Sequence, residues 1–96
     1  MPLFAVVWHY TSDTELRDRV RPEHRSYVFD LATRGLVLTA GPFGDGSGGL
    51  LIYHVADEVE LAKVISDDPY SRNGAIERYD AWQWEPVIGT LANSRQ

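Results

Sequence analysis

The segment Leu3 to Tyr10, LFAVVWHY, constrains the fold more than any other stretch of the chain. It is rich in β-branched and aromatic residues and is bounded by Pro2 and by Thr11-Ser12-Asp13, so it reads as a strand. Side chains alternate across a strand, and here both sets are apolar: Leu3, Ala5 and Val7 face one way, Phe4, Val6 and Trp8 the other. Such a strand needs cover on both sides. A chain of 96 residues supplies one domain with one small core, so part of that cover has to come from outside the domain.

The rest of the chain reads as alternating elements. Pro22 suits the first turn of a helix that runs to Arg34 and stops at Gly35, with Val20, His24, Tyr27, Val28 and Leu31 at three- and four-residue spacings on one face. Leu36 to Ala40 is a second strand, GPFGDGSGG a turn, and Leu50 to Val55 a third strand, which makes a hairpin. Asp57 is placed to cap a second helix whose apolar side is Val59, Leu61, Ala62, Val64 and Ile65 and which ends at Asp67-Asp68-Pro69. Ile76 to Glu85, with Tyr79, Trp82 and Trp84, is a fourth strand. Residues 1–90 are expected to form the single domain, and residues 91–96, LANSRQ, a frayed tail.

The order β-α-β-β-α-β in one small α+β domain points to the split β-α-β, ferredoxin-like arrangement, an antiparallel four-stranded sheet with two helices on one face. Two helices cover only one face. The third strand also splits apolar residues both ways, Leu50 and Ile52 against Leu51, Tyr53 and Val55. An uncovered apolar sheet face predicts a homodimer in which two sheets pack together.

Composition excludes several functions. Fourteen acidic against 9 basic side chains give a net charge of -5 with no basic run, so nucleic acid is not an expected partner. The chain has no cysteine, which removes disulfides, thiolate catalysis and cysteine metal sites. His9 and His54 fall on strands, and no His-x-x-x-His helix is present, so neither a metal site nor a haem-type monooxygenase finds support and no cofactor is expected. The apolar run at the N-terminus is too short for a membrane span and has no basic lead, so the expectation is a cytoplasmic protein without membrane association.

In this topology His24, the Gly41-Pro42 turn with Asp45, and the Asp67-Asp68 helix end converge on one rim of the sheet. A histidine in the first turn of its helix is held neutral by the dipole and is fit to accept a proton. A carboxylate beside it fixes tautomer and orientation, as behind many catalytic bases. Each part also has a structural reading: His24 as a core residue, Asp-Asp-Pro as a stop signal, the glycine-rich turn as an ordinary hairpin loop, and Trp82 and Trp84 as sheet-face anchors. Tyr70 either packs the rim or lines a pocket. Two functions follow. One is a cofactor-free enzyme with His24 as general acid or base, and Arg21 or Gly41-Pro42 holding an anionic or oxygen-rich small organic molecule. The other is a non-catalytic small-ligand-binding or accessory protein.

Arg21-Pro22-Glu23-His24 opening a helix, Gly35 ending it, Gly41-Pro42 with Asp45 in a glycine-rich turn, Asp68-Pro69-Tyr70, and Trp82 or Trp84 near the end together resemble the YciI-like (YCII-related) family. The resemblance spans the first strand to Pro86. It implies a dimeric α+β barrel, related in shape to muconolactone isomerases and to the antibiotic-biosynthesis monooxygenase-like group. It also implies a His-Asp active-site pair that maps onto His24 and Asp68, with Asp67 left as a helix-end residue because Asp-Pro is the family's pairing. At least one member is similar to a dehydrochlorinase of a chlorinated hydroxyquinol, which makes isomerisation or elimination, including dehydrochlorination, the implied chemistry.

Overall fold

The computed structural model describes residues 1–93. Its sheet contains β1 (Leu3–Tyr10), β2 (Val37–Pro42), β3 (Gly48–His54) and β4 (Ile76–Trp84), in the order β2-β3-β1-β4. β1 pairs antiparallel with both β3 and β4, and β2 with β3. Helices α1 (Thr14–Thr33) and α2 (Glu58–Ser66) make the two connections between strands, followed by the single turn α3 (Pro69–Arg72). Phe4, Val6 and Trp8 from β1 and Leu51 and Tyr53 from β3 share one buried cluster with Val20 and Leu31 of α1 and Leu61 and Ile65 of α2. Both helices therefore cover the same face, and the fold is the ferredoxin-like α+β sheet.

The first helix starts well before the expected position, and Pro22 lies inside it. Asp13 caps it, its carboxylate accepting the Leu16 N–H at 3.1 Å. An interior proline costs a helix about 3 kcal/mol. Here Leu16 and Val20 before the proline continue the same buried stripe as Tyr27, Val28 and Leu31 after it, and that burial offsets the cost. His24 is consequently not in the first turn. At 1.5 Å of rise per residue it lies roughly 15 Å from the start of the helix, beyond the first turn over which the dipole would hold the ring neutral. Arg34 closes the helix and Gly35 follows at φ +79°.

The hairpin turn is also shorter than expected. Gly41 and Pro42 are the last residues of β2, paired with Leu50 and Gly49. Pro42 is tolerated there because β2 is an edge strand. The remaining turn is held by Asp45, whose carboxylate accepts the Ser47 N–H at 2.9 Å; the Ser47 side chain first, and that N–H second, pull its pKa below the ordinary value. Gly48 has a specific reason to be glycine: a Cβ there would run into the carbonyl oxygen of Trp8 on the neighbouring strand. Gly48→Ala is expected to lower stability by about 1–3 kcal/mol, read by urea denaturation, because the pairing of β1 and β3 has to spread to admit one methyl group. An unchanged midpoint would mean that the close approach is relaxed at no cost.

Asp57 caps α2 by accepting from Glu60 N at 2.9 Å, and Glu60 reciprocates by accepting from Ala56 N. The helix ends at Asp67, which is paired with Lys63 at 2.9 Å. The chain then starts a new helix. Asp68 is the N-cap of α3 and Pro69 its first residue, a position where proline's missing N–H costs nothing. Thr11 N donates to Ala75 O at 2.8 Å, which ties the exit of α3 to the end of β1. Thr90–Asn93 form one helical turn, α4; the remainder of the expected tail lies outside the described residues.

On the other side of the sheet the register aligns Ala5 with Ile52 and Trp82, and Val7 with Leu50 and Asp80. Leu50, Trp82 and Trp84 are exposed there, Trp82 by 57%. A polar group stands at one end of this face: His9 Nε2 lies 3.1 Å from Asp80 Oδ2, which also accepts from Arg78 at 2.9 Å. No helix among the described residues is long and apolar enough to cross a membrane.

Candidate active site

The underside of α1 and the neighbouring ends of β1, β2 and β3 enclose a cleft of about 540 Å³, within the usual range for small-molecule sites. Trp8, Tyr10, Arg21, His24, Gly41, Pro42 and Tyr70 all line it. Asp68 does not. It lies behind His24, fully buried, and its Oδ1 stands 2.8 Å from His24 Nδ1. Asp67 points elsewhere, to Lys63.

The local chain explains this placement. Because Asp68 caps α3, its Oδ1 also accepts the Tyr70 N–H at 2.9 Å, so the cap that starts the short helix is the atom that meets the histidine. The next residue but one then stacks its ring on the imidazole, the Tyr70 and His24 centroids lying 3.8 Å apart and the planes within 3° of parallel. Trp8 stands beside the imidazole, its ring centroid 5.4 Å from that of His24 and 6.3 Å from that of Tyr70. One short motif thus supplies an acceptor for one ring nitrogen and a wall for the ring face.

An ionised carboxylate only accepts hydrogen bonds, so Nδ1 carries a proton and donates it to Asp68. In the neutral ring Nε2 then holds the free lone pair, and among the described residues it has no partner. The arrangement can accept a proton at Nε2 while Asp68 stabilises the resulting imidazolium. Asp68 Oδ2, Tyr53 Oη and Trp8 Nε1 are buried without partners among the described residues. Burial, and then the Asp68 charge, push the Tyr53 phenol well above its ordinary pKa and keep it neutral beneath the site.

Several lining residues were not singled out from sequence. Tyr10 lines the cleft with its phenol pKa raised by burial first and by Tyr70 second, against the lowering effect of Arg17, Arg21 and Arg25. Arg17 lies over the Tyr10 ring at 4.7 Å, and Arg25 lines the cleft four residues beyond Arg21. The signal was present as the helical repeat Arg17, Arg21, Arg25, but a helix begun at Pro22 hides it. Arg21 itself pairs with Asp18 at 2.6 Å, a bond that raises its pKa. Asp45 serves the turn and does not reach the cleft. Among the described residues no group of three or more His, Asp or Glu side chains is disposed to hold a metal ion.

A four-stranded ferredoxin-like sheet with a cleft under its first helix defines the class: a small single-sheet α+β protein with a His-carboxylate pair at the cleft wall. The chain belongs to the YCII-related domain family, whose model matches residues 3–85. Its structure is similar to that of 5-chloro-2-hydroxyhydroquinone dehydrochlorinase (TftG) from Burkholderia phenoliruptrix AC1100, solved in complex with 2,5-dihydroxybenzoquinone. The TM-score is 0.76 at 18% identity, over 86% of this chain and 93% of that one, a likeness of fold. No curated protein matches the sequence.

Proposed function

We propose that this protein is an enzyme that uses His24 and Asp68 for acid-base chemistry on a small organic molecule, by isomerisation or elimination and without a cofactor. The observation that carries this reading is the 2.8 Å bond from His24 Nδ1 to a fully buried Asp68, which leaves Nε2 free at the cleft wall. In the proposed step Nε2 removes a proton from carbon next to a carbonyl, and the electron pair moves onto the carbonyl oxygen as an enolate. Collapse of the enolate either expels a leaving group such as chloride from the adjacent carbon or takes the proton back at a different carbon. Imidazolium returns its proton to solvent in the first case and to the product in the second. Arg21 stands at the cleft wall to stabilise the enolate charge, with Gly41 and Pro42 forming part of the opposite wall. The dehydrochlorinase activity of the structural neighbour supports elimination as a chemistry that this fold hosts.

The test is turnover of lactone, enone and halogenated hydroxyquinol panels by wild type and by the His24→Gln variant. Equal rates on every substrate turned over would end this reading, and the non-catalytic ligand-binding alternative would replace it.

The working unit in this proposal is a cytoplasmic homodimer. Leu50, Trp82 and Trp84 form an exposed apolar group on the face opposite the helices, and a second sheet is the surface that matches it in shape. Trp82→Glu combined with Leu50→Glu is expected to convert the dimer to monomers in sedimentation velocity at micromolar concentration. A wild-type protein that already sediments as a monomer at the same concentration would overturn the dimer.

A further inference from the structure

The lining of the cleft is sorted by charge along α1. Arg17, Arg21 and Arg25 lie four residues apart on one helical stripe and all line it, whereas no Asp or Glu does. The stripe continues as Val28, Phe29 and Ala32, which face Val37 and Leu51 across the cleft. His24 lies where the two halves meet. The cationic half is closed on the sheet side by Tyr10, beneath the Arg17 guanidinium, and by the turn at Gly46, whose carbonyl accepts from Arg17 at 3.4 Å. Tyr10 stays neutral and so keeps an O–H to donate. Arg21 shares its guanidinium with Asp18 at 2.6 Å, but among the described residues neither Arg17 nor Arg25 has a carboxylate partner, and in a chain of net charge -5 this positive charge is local to the cleft.

We infer that the cleft binds a small amphipathic organic anion. Its acidic group sits among Arg17, Arg21, Arg25 and Tyr10, its apolar body lies toward Val28 and Ala32, and its reacting carbon is presented to His24 between them. The inference rests on the acid-base reading for what happens at that carbon, but not for the binding itself. Guanidinium groups suit a carboxylate or phenolate head because they donate in a planar fork and remain charged. An apolar half without a charged group discriminates against ligands that are charged at both ends. The arrangement also places the carbanion that forms at His24 within the field of the arginines, so the groups that orient the substrate also favour its enolate.

Phenylpyruvate is a suitable probe because it has an acidic head, an aromatic body and exchangeable C–H next to a carbonyl. Its methyl ester lacks the anionic head, and 2-phenylethylammonium reverses the charge. Titrations followed by NMR shifts of the His24 ring and the Gly46 amide are expected to show binding of the acid, at least tenfold weaker binding of the ester, and no binding of the ammonium ion. Arg25→Gln should weaken the acid by about five- to tenfold, the worth of one ordinary hydrogen bond at a solvent-facing cleft, and leave the ester unchanged. Raising the salt concentration on the unaltered protein should weaken the acid alone, which keeps the test valid should a variant fold poorly. Equal binding of acid and ester, absence of binding by the acid, or an Arg25→Gln variant with wild-type affinity and salt dependence would overturn the anion site. Exchange of the probe's C–H in deuterated water separates the two proposals. Binding as described with exchange that His24→Gln does not slow would sink the acid-base reading and leave the anion cleft standing.

Discussion

Replacing His24 by Gln is expected to slow proton abstraction from carbon by roughly 10²–10⁴-fold, the usual contribution of a positioned general base. The fold should survive. The ring is held by a bond to Asp68 and by stacking on Tyr70, and an amide on a flexible stem can still donate toward Asp68 Oδ1. Deuterium incorporation next to the carbonyl of a turned-over substrate measures the step directly, and circular dichroism and thermal unfolding confirm that the variant is folded. A variant that unfolds cooperatively near the wild-type temperature yet exchanges at the solvent rate locates the loss in the chemistry. A folded variant with undiminished exchange would show that Nε2 is not the base.

The second large effect belongs to Asp68, and here two substitutions separate two roles. Asp68→Ala removes the acceptor for His24 Nδ1 and for Tyr70 N in a fully buried position. Leaving two buried donors unpaired costs about 1–3 kcal/mol each, so a loss of roughly 2–6 kcal/mol is expected in chemical denaturation. Much of a small domain's stability would go with it. Asp68→Asn keeps a carbonyl oxygen for both donors, so its stability loss should be near 1 kcal/mol, the scale of one ordinary hydrogen bond. Its activity should still fall, because a neutral amide no longer stabilises the imidazolium and its NH₂ competes for the Nδ1 lone pair, which favours the wrong tautomer. A stable Asp68→Asn protein with wild-type turnover would show that the carboxylate acts only as a cap. An Asp68→Ala protein within about 1 kcal/mol of wild type would remove the buried-donor account.

The two substitutions also explain why the Asp-Asp-Pro motif is easily misread. Asp67 ends one helix at the surface and Asp68 begins the next in the core, one residue later. A proline after a helical pattern reads as a stop, and it is one, but proline at a first helical position equally marks a start. Which reading applies depends on what lies above the turn, and that is a residue 44 positions away in the chain. The same ambiguity misplaced the start of the first helix. Pro22 suits a first turn when only its neighbours are considered, whereas the buried stripe through Leu16 and Val20 outweighs the local cost of an interior proline. The alternating pattern of β1, by contrast, left one outcome, because period-two burial does not depend on distant partners.

By itself the sequence determined the strand-helix order, the antiparallel sheet with its helices on one side, the apolar second face, and the pairing of residue types at His24 and Asp68. These follow from periodicity, turn chemistry and handedness, which act over a few residues at a time. Only the tertiary structure decided that the imidazole sits in the middle of α1 and not at its start. Only it showed that Asp68 reaches Nδ1 through the cap of α3 and that three arginines, spread over nine residues of helix, face one cleft that no carboxylate lines. The reason is physical. A hydrogen bond of 2.8 Å and the rotation of a helix about its axis are set by how the helices pack on the sheet, and packing sums contacts from the whole chain.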